Sequence, residues 1–217
     1  MLEQRPLSIK EVKLLNWDLK RILKRKSHQL RLLVGWILIV IVVGTFFYFK
    51  FNSPEDHNIL FGVALVYTLI VFWVFVEESV KLTKKQKSIN FALSENVTNY
   101  IRVTTNSYIQ LTEEEDEGVH YLFQLDNNRI LSIGGQDFYP NSKFPNTDFE
   151  IVQCLGVKNE TILLETYNYG KKLKPKIKIS GKEKWDLLGS PNYPDPEKFT
   201  IISGRIEDYK KIGIAKV

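Results

Sequence analysis

Lysine recurs at every second position in the segment Lys174-Pro175-Lys176-Ile177-Lys178-Ile179. In an extended strand this spacing puts Lys174, Lys176 and Lys178 on one face, opposite Ile177 and Ile179. Three like charges on one face repel, and a phosphate, lipid headgroup or nucleotide would relieve the repulsion. The same row also suits an edge strand that must not pair with another chain. Aromatic residues that could stack on such a ligand lie nearby in sequence, Tyr167 and Tyr169 among them, with Tyr100 and Tyr108 further back.

Other chemistry-bearing types are scattered. The acidic run Glu113 to Glu117 lacks the alternating oxygen ligands and central glycine of a calcium-binding loop, and reads as a solvated hairpin tip. His28, His57 and His120 stand far apart along the chain, and Cys154 has no evident partner. Neither a metal site nor a Cys–His pair is expected. Cys154 alternates with Val152, as a core thiol would. Ser180-Gly181-Lys182 has lysine where a phosphate loop needs its earlier glycine, at position 176, so it reads as a turn. No convergent acid, base and nucleophile set emerges, no cofactor is implied, and a non-enzymatic role is the expectation.

The elements that must position these groups begin with two charge-free runs, Leu32 to Phe49 and Ile59 to Val76. Each is about 18 residues, roughly 27 Å of helix, enough to cross the hydrocarbon core of a bilayer. They read as a membrane α-hairpin of two transmembrane helices. Lysine and arginine crowd both flanks, while the connecting loop holds only Lys50. The positive-inside rule therefore puts both termini in the cytoplasm, as a multi-pass inner-membrane topology. The net charge of +5 is concentrated beside the membrane, so an anionic inner leaflet is the expected partner and nucleic acid is not.

Ser8 and Glu11 have capping-box spacing, so a helix is expected from Ile9. Its apolar stripe and its Trp17, Lys20, Arg21, Lys24 and Arg25 read as a basic amphipathic helix lying in the membrane interface, with packing against the soluble part as the alternative. Trp36 and Trp73 read as interfacial anchors at the cytoplasmic ends of the spans. Gly44 and Ala64 fall level across the hairpin, with Gly62 within a turn, so close helix packing is expected there, as is homo-oligomerisation through the hairpin.

From Asn96 the pattern changes to period two, rich in β-branched and aromatic residues. Strands are expected at 99–104, 107–112, 119–125, 129–133, 149–155, 161–168, 174–180 and 199–203, with a short helix at 182–188. The spacing predicts a mostly antiparallel β barrel or sandwich. The organisation is then a juxtamembrane helix over 1–29, a hairpin over 30–80, a linker helix over 81–95 and a cytoplasmic β domain over 96–217.

The stretch from Arg129 to Val152 contains Gly135-Gln136, Phe138-Tyr139 and then Phe144-Pro145-Asn146, followed by Phe149-Glu150. With these residues, the segment from Arg129 to Ser180 resembles uncharacterised bacterial two-span inner-membrane proteins. The resemblance implies a bacterial inner-membrane protein with a cytoplasmic β domain. It implies no activity and no functional residues.

These readings converge on a membrane-anchored binding module whose ligand is a protein partner, a lipid headgroup or a small anionic molecule. The alternative is a two-span membrane effector, in which a β barrel senses a cyclic nucleotide and the spans assemble to disrupt the membrane.

Overall fold

A computed structural model describes residues 3–50, 54–126, 128–190, 193–195 and 199–212. By compactness the chain divides into two units. One comprises Pro6–Val97 and Leu155–Ile162; the other comprises Met1–Arg5, Thr98–Cys154 and Leu163–Val217.

The first unit is built on two helices of 42 residues each, α1 (Ile9–Lys50) and α2 (Pro54–Glu95). Each is about 63 Å long, roughly twice the hydrocarbon thickness of a bilayer. Both contain a run long and apolar enough to cross a membrane, and none of that run is buried within the protein. The first helix starts where the capping box predicts. The Ser8 N–H donates to Glu11 Oε2 at 2.7 Å, and the Glu11 N–H donates to Ser8 Oγ at 3.3 Å.

α1 runs unbroken from this cap to Lys50. In its first half Leu15 and Ile22 are buried inside the protein and Leu23 is exposed; Leu82, Ile89 and Ala92 of α2 are buried as well. The chain returns to this unit at Leu155–Ile162, where Ser88 donates to the Glu160 carboxylate.

Nine strands occur among the described residues, and the second unit is built on them; one, β1 (Glu3–Pro6), precedes α1. After α2 come β2 (Val97–Thr104), β3 (Tyr108–Leu111), β4 (Val119–Asp126) and β5 (Arg129–Gly135). Then follow β6 (Asp148–Leu155), β7 (Thr161–Asn168), β8 (Ile177–Ile179), the helix α3 (Gly181–Leu188) and β9 (Thr200–Ser203). They form a four-stranded sheet, β1-β2-β6-β7, and a five-stranded sheet, β8-β3-β4-β5-β9. The registers of β2–β6, β3–β4, β4–β5 and β5–β9 are antiparallel, and that of β3–β8 is parallel.

Of the two expected forms, barrel or sandwich, the barrel does not close. Closure requires every edge strand to find a partner. Here β1 and β7 end one sheet, and β8 and β9 end the other. The two sheets instead share one core, which Ile101, Val103, Phe149 and Ile151 of the first and Tyr121, Phe123, Leu131 and Ile133 of the second build together. Register and core agree: Ile101 faces Ile151 and Val103 faces Phe149 across β2–β6. Rings interlock at the centre, Phe123 lying 5.0 Å and Phe144 5.3 Å from Phe149.

The other face of the five-stranded sheet is covered as well. Ile109, Leu111, Leu122 and Ile130 pack with Leu187 of α3 and with Ile206 and Tyr209 of the following 3-10 segment. Burial on both faces is why all four residues of β3 are buried. One glycine is needed for this assembly. Gly118 has φ +78°, and a Cβ there would collide with the main chain of Gly135.

Candidate functional site

The lysine stripe is split by the fold. Pro175 lacks an N–H, and β8 covers only Ile177–Ile179, so Lys178 alone of the three lies in a strand. Lys174 and Lys176 precede it in irregular chain, which the Lys176 N–H ties to the Tyr108 carbonyl at 2.8 Å. All three side chains are exposed. Lys176 is committed: its Nζ lies 2.6 Å from Glu207 Oε1. Lys174 and Lys178 have no ion-pair partner among the described residues. β8 pairs with β3 on one side and is an edge of its sheet. Tyr167 is half-buried on β7, the edge strand of the other sheet, so the fold puts it and Lys178 on different sheets.

Beside Glu207 opens a cleft of about 360 Å³. Three segments wall it: Thr104 at the end of β2 with the following Thr105 to Ser107, Gln124 to Asp126 at the end of β4, and Arg205 with Glu207. The hydrogen bond from Lys176 sets the electrostatics here, holding the Glu207 carboxyl below the usual carboxylate range, and the nearby Arg205 adds to the effect. Asp126 is engaged by Arg129, whose Nε lies 3.0 Å from both carboxylate oxygens. A second cleft, between α3 and the 3-10 segment, is lined by Lys182, Glu183, Asp186 and Lys210. Its Glu183 is already held by the Tyr209 hydroxyl at 2.8 Å and Lys210 at 3.1 Å.

The acidic run is not a loose solvated tip. Lys184 of α3, almost wholly buried, donates to the Thr112 carbonyl at 2.6 Å and to Glu117. Glu114 accepts from the Trp185 indole at 3.1 Å and from the Gly181 N–H. The Tyr139 hydroxyl donates to Glu113 at 2.5 Å. The run is thus tied to α3 by the ion pair between Lys184 and Glu117 and to its surroundings by neutral donors on Glu113 and Glu114. Among the described residues no group of three or more His, Cys, Asp or Glu side chains is placed to hold a metal ion.

His120 is buried on β4, with Nε2 2.8 Å from Ser132 Oγ and Nδ1 3.4 Å from the Tyr193 hydroxyl. Burial pushes its pKa down to about 4, against a small opposing effect of Asp195. The Ser–His pair has the separation of a nucleophile and its base, but Ser132 is fully withdrawn from solvent, and the pair serves as a core hydrogen bond. Cys154 is buried as expected, with Sγ 3.4 Å from Thr98 Oγ1.

The chain matches no family model, no curated protein and no solved structure.

In the helical unit, Gly44 and Ala64 both line an apolar groove of about 630 Å³ between α1 and α2. The helices do not close on the glycines here. A Cβ at Gly44 or Gly62 would meet no atom within 4 Å. Tyr48 and His57 stack at one end of the groove, 5.0 Å apart. Trp36 is half-buried and Trp73 exposed. Trp17 is exposed with the Arg21 guanidinium 4.4 Å over its ring, and Lys20, Lys24 and Arg25 are exposed on the same helix. Of the candidate stacking tyrosines, Tyr108 is buried in the core, and the ring of Tyr169 is covered by Arg102 at 3.9 Å.

Sequence reasoning missed Arg205, Gln124 and Lys184. Arg205 and Gln124 carry no motif, and what joins them is tertiary: β4 and the segment after β9 are about 80 residues apart. For Lys184 a signal existed, since five consecutive acidic residues beside a packed sheet call for a counter-charge.

Proposed function

We propose that the chain is a two-span membrane anchor carrying a β-sandwich-like unit that acts as a non-enzymatic binding module at the cytoplasmic face of an inner membrane. The observation that carries this reading is the exposure of the two apolar runs. Side chains such as Leu38, Val42, Phe61, Leu69 and Trp73 are more than half exposed, on helices with no charge across the run. An apolar surface of this extent is stable only in contact with lipid or another apolar partner.

The basic flanks support an orientation with both termini cytoplasmic, where an anionic leaflet meets Lys20, Arg21, Lys24 and Arg25. The resemblance of residues 129–180 to bacterial two-span proteins agrees with that setting. The lipid bilayer is then the primary partner. A protein or a small anionic molecule is recruited by the β unit, and the open groove between the spans offers a surface for a second copy of the hairpin. Reporter fusions at His57 and at Val217 test the reading. We expect opposite sides, with Val217 cytoplasmic; an external Val217 reporter, or a chain that washes off membranes in alkaline carbonate, would overturn it.

A further inference from the structure

The cleft beside Glu207 is assembled by a single amide. Gln124 Nε2 donates to the carbonyls of Asp126 at 2.7 Å and Arg129 at 2.9 Å, while its Oε1 accepts from the Ile206 N–H at 2.8 Å. The opposite wall is fixed as firmly. Thr105 Oγ1 donates to the Ser107 carbonyl at 2.9 Å, and that carbonyl also accepts from the Gln124 N–H at 3.1 Å. Three stretches of chain distant in sequence are therefore held in place before any ligand arrives, which lowers the cost of binding one.

The charges do not cancel. Arg129 and Asp126 neutralise each other. Lys176 and Arg205 both act on the one carboxylate of Glu207. The cleft lining itself carries Asp126, Glu207 and Arg205; with Arg129 and Lys176 counted as the partners of the two carboxylates, one cation is in excess, and the exposed Arg205 has no ion pair within 4 Å among the described residues. Around it stand the hydroxyls of Thr104 and Ser107 and the amide of Asn106, whose side chains make no hydrogen bond among the described residues. A planar guanidinium beside unused neutral donors and acceptors matches a phosphate joined to a hydroxyl-bearing body.

We propose that this cleft binds a small phosphorylated polyhydroxyl compound, with Arg205 on the phosphate and Thr104, Asn106 and Ser107 on the hydroxyls. The volume, about 360 Å³, lies at the small end of ligand pockets and suits one sugar-sized ring. The inference rests on the binding-module reading and names the ligand class of that module. The same chemistry is offered by a free sugar phosphate and by a phosphorylated inositol headgroup.

The full chain in nanodiscs of zwitterionic lipid, titrated calorimetrically with ribose 5-phosphate, tests it. We expect saturable binding that R205A weakens at least tenfold and N106A several-fold. E207Q, which removes the competing carboxylate, tightens it. The melting temperature of R205A stays within a degree or two of wild type, because the side chain is exposed. A second arm replaces the sugar phosphate with phosphoinositide in the nanodisc. Binding in that arm only, lost in R205A, assigns the ligand to a headgroup. No binding in either arm, or binding that R205A leaves unchanged, overturns the proposal. Inorganic phosphate binding as tightly as ribose 5-phosphate overturns its polyhydroxyl part. Failure here leaves the reporter and carbonate results untouched, and Arg205-dependent binding by a chain that washes off membranes would remove the anchor and keep the site.

Discussion

The ammonium of Lys184 donates to the Thr112 carbonyl at 2.6 Å from a side chain almost entirely withdrawn from water. Burial lowers the pKa of such a group, while Glu114, Glu113 and Glu115 act in the opposite sense. The relationship explains two features at once. It lets five consecutive acidic residues follow a packed strand, and it fixes α3 against the end of β3.

Removing that ammonium should therefore loosen both elements. K184A leaves Glu117 unpaired at a half-buried position, opens a void under α3 and is expected to destabilise the protein by about 3 kcal/mol. K184M keeps the stem packing and loses only the charge, so its loss is smaller. Chemical denaturation of the two variants checks the order. Equal stability in K184A and wild type would mean that the acidic loop is held instead by Tyr139, by Trp185 and by Gln136, whose Nε2 donates to the Asp116 carbonyl at 2.8 Å.

His120 makes stability depend on pH, and the sign follows from its environment. The folded state holds this imidazole neutral down to about pH 4, whereas the unfolded chain takes up its proton near 6.5. Between those values the unfolded state binds more protons, so stability is full above about pH 6.5 and falls as pH falls towards 4. The loss approaches about 3 kcal/mol. Because carboxylates also titrate near the lower limit, the measurement is a difference. Across pH 7.5 to 4 the stability difference between wild type and H120Q should shift in favour of H120Q as pH falls, with H120Q the flatter.

Much of the β unit is legible in the order of its residues. Alternation of the kind seen in Tyr100-Ile101-Arg102-Val103 is a local signal, and eight strands and α3 fall within a few residues of where it puts them. Closure is not legible, because it depends on which edges meet, and no local pattern encodes that. β1 escapes such a reading because Glu-Gln-Arg-Pro carries no apolar alternation; its pairing comes from partners far away, as in Arg5 to Glu150 at 2.7 Å. The lysine stripe is visible as a periodicity, yet its charge balance is not. Glu207 lies 31 residues beyond Lys176, and only the fold joins them.

At the centre of the shared core, Phe149 is fully buried and touches the rings of Phe123 and Phe144. F149A removes a large side chain from a site hemmed in by aromatic rings that cannot collapse into the gap. The expected loss is about 3–5 kcal/mol, enough to unfold a domain of ordinary stability. F149L fills part of the space and should retain the fold. Loss of dispersed amide signals in the first variant only, with the methyl signals of α1 and α2 unchanged, would also show that the two units fold separately.

The edge strand β8 supplies the last test. Lys178 sits between Ile177 and Ile179 on a strand that pairs with β3 on one side. Ile179 is buried, Ile177 is half-buried and Lys178 is exposed, so the exposed position of the edge carries a charge. A charge at that position makes addition of another strand unfavourable, because the incoming chain would have to bury it. K178I creates three consecutive isoleucines on an open edge and should drive concentration-dependent association of detergent-solubilised protein. K178E replaces one guarding charge by another and should stay as dispersed as wild type. Light scattering of the three proteins at matched concentration decides the matter. If K178I remains monodisperse, the edge is protected by something other than its lysine. If K178E aggregates, the sign of the charge matters, which points to an acidic partner for Lys178.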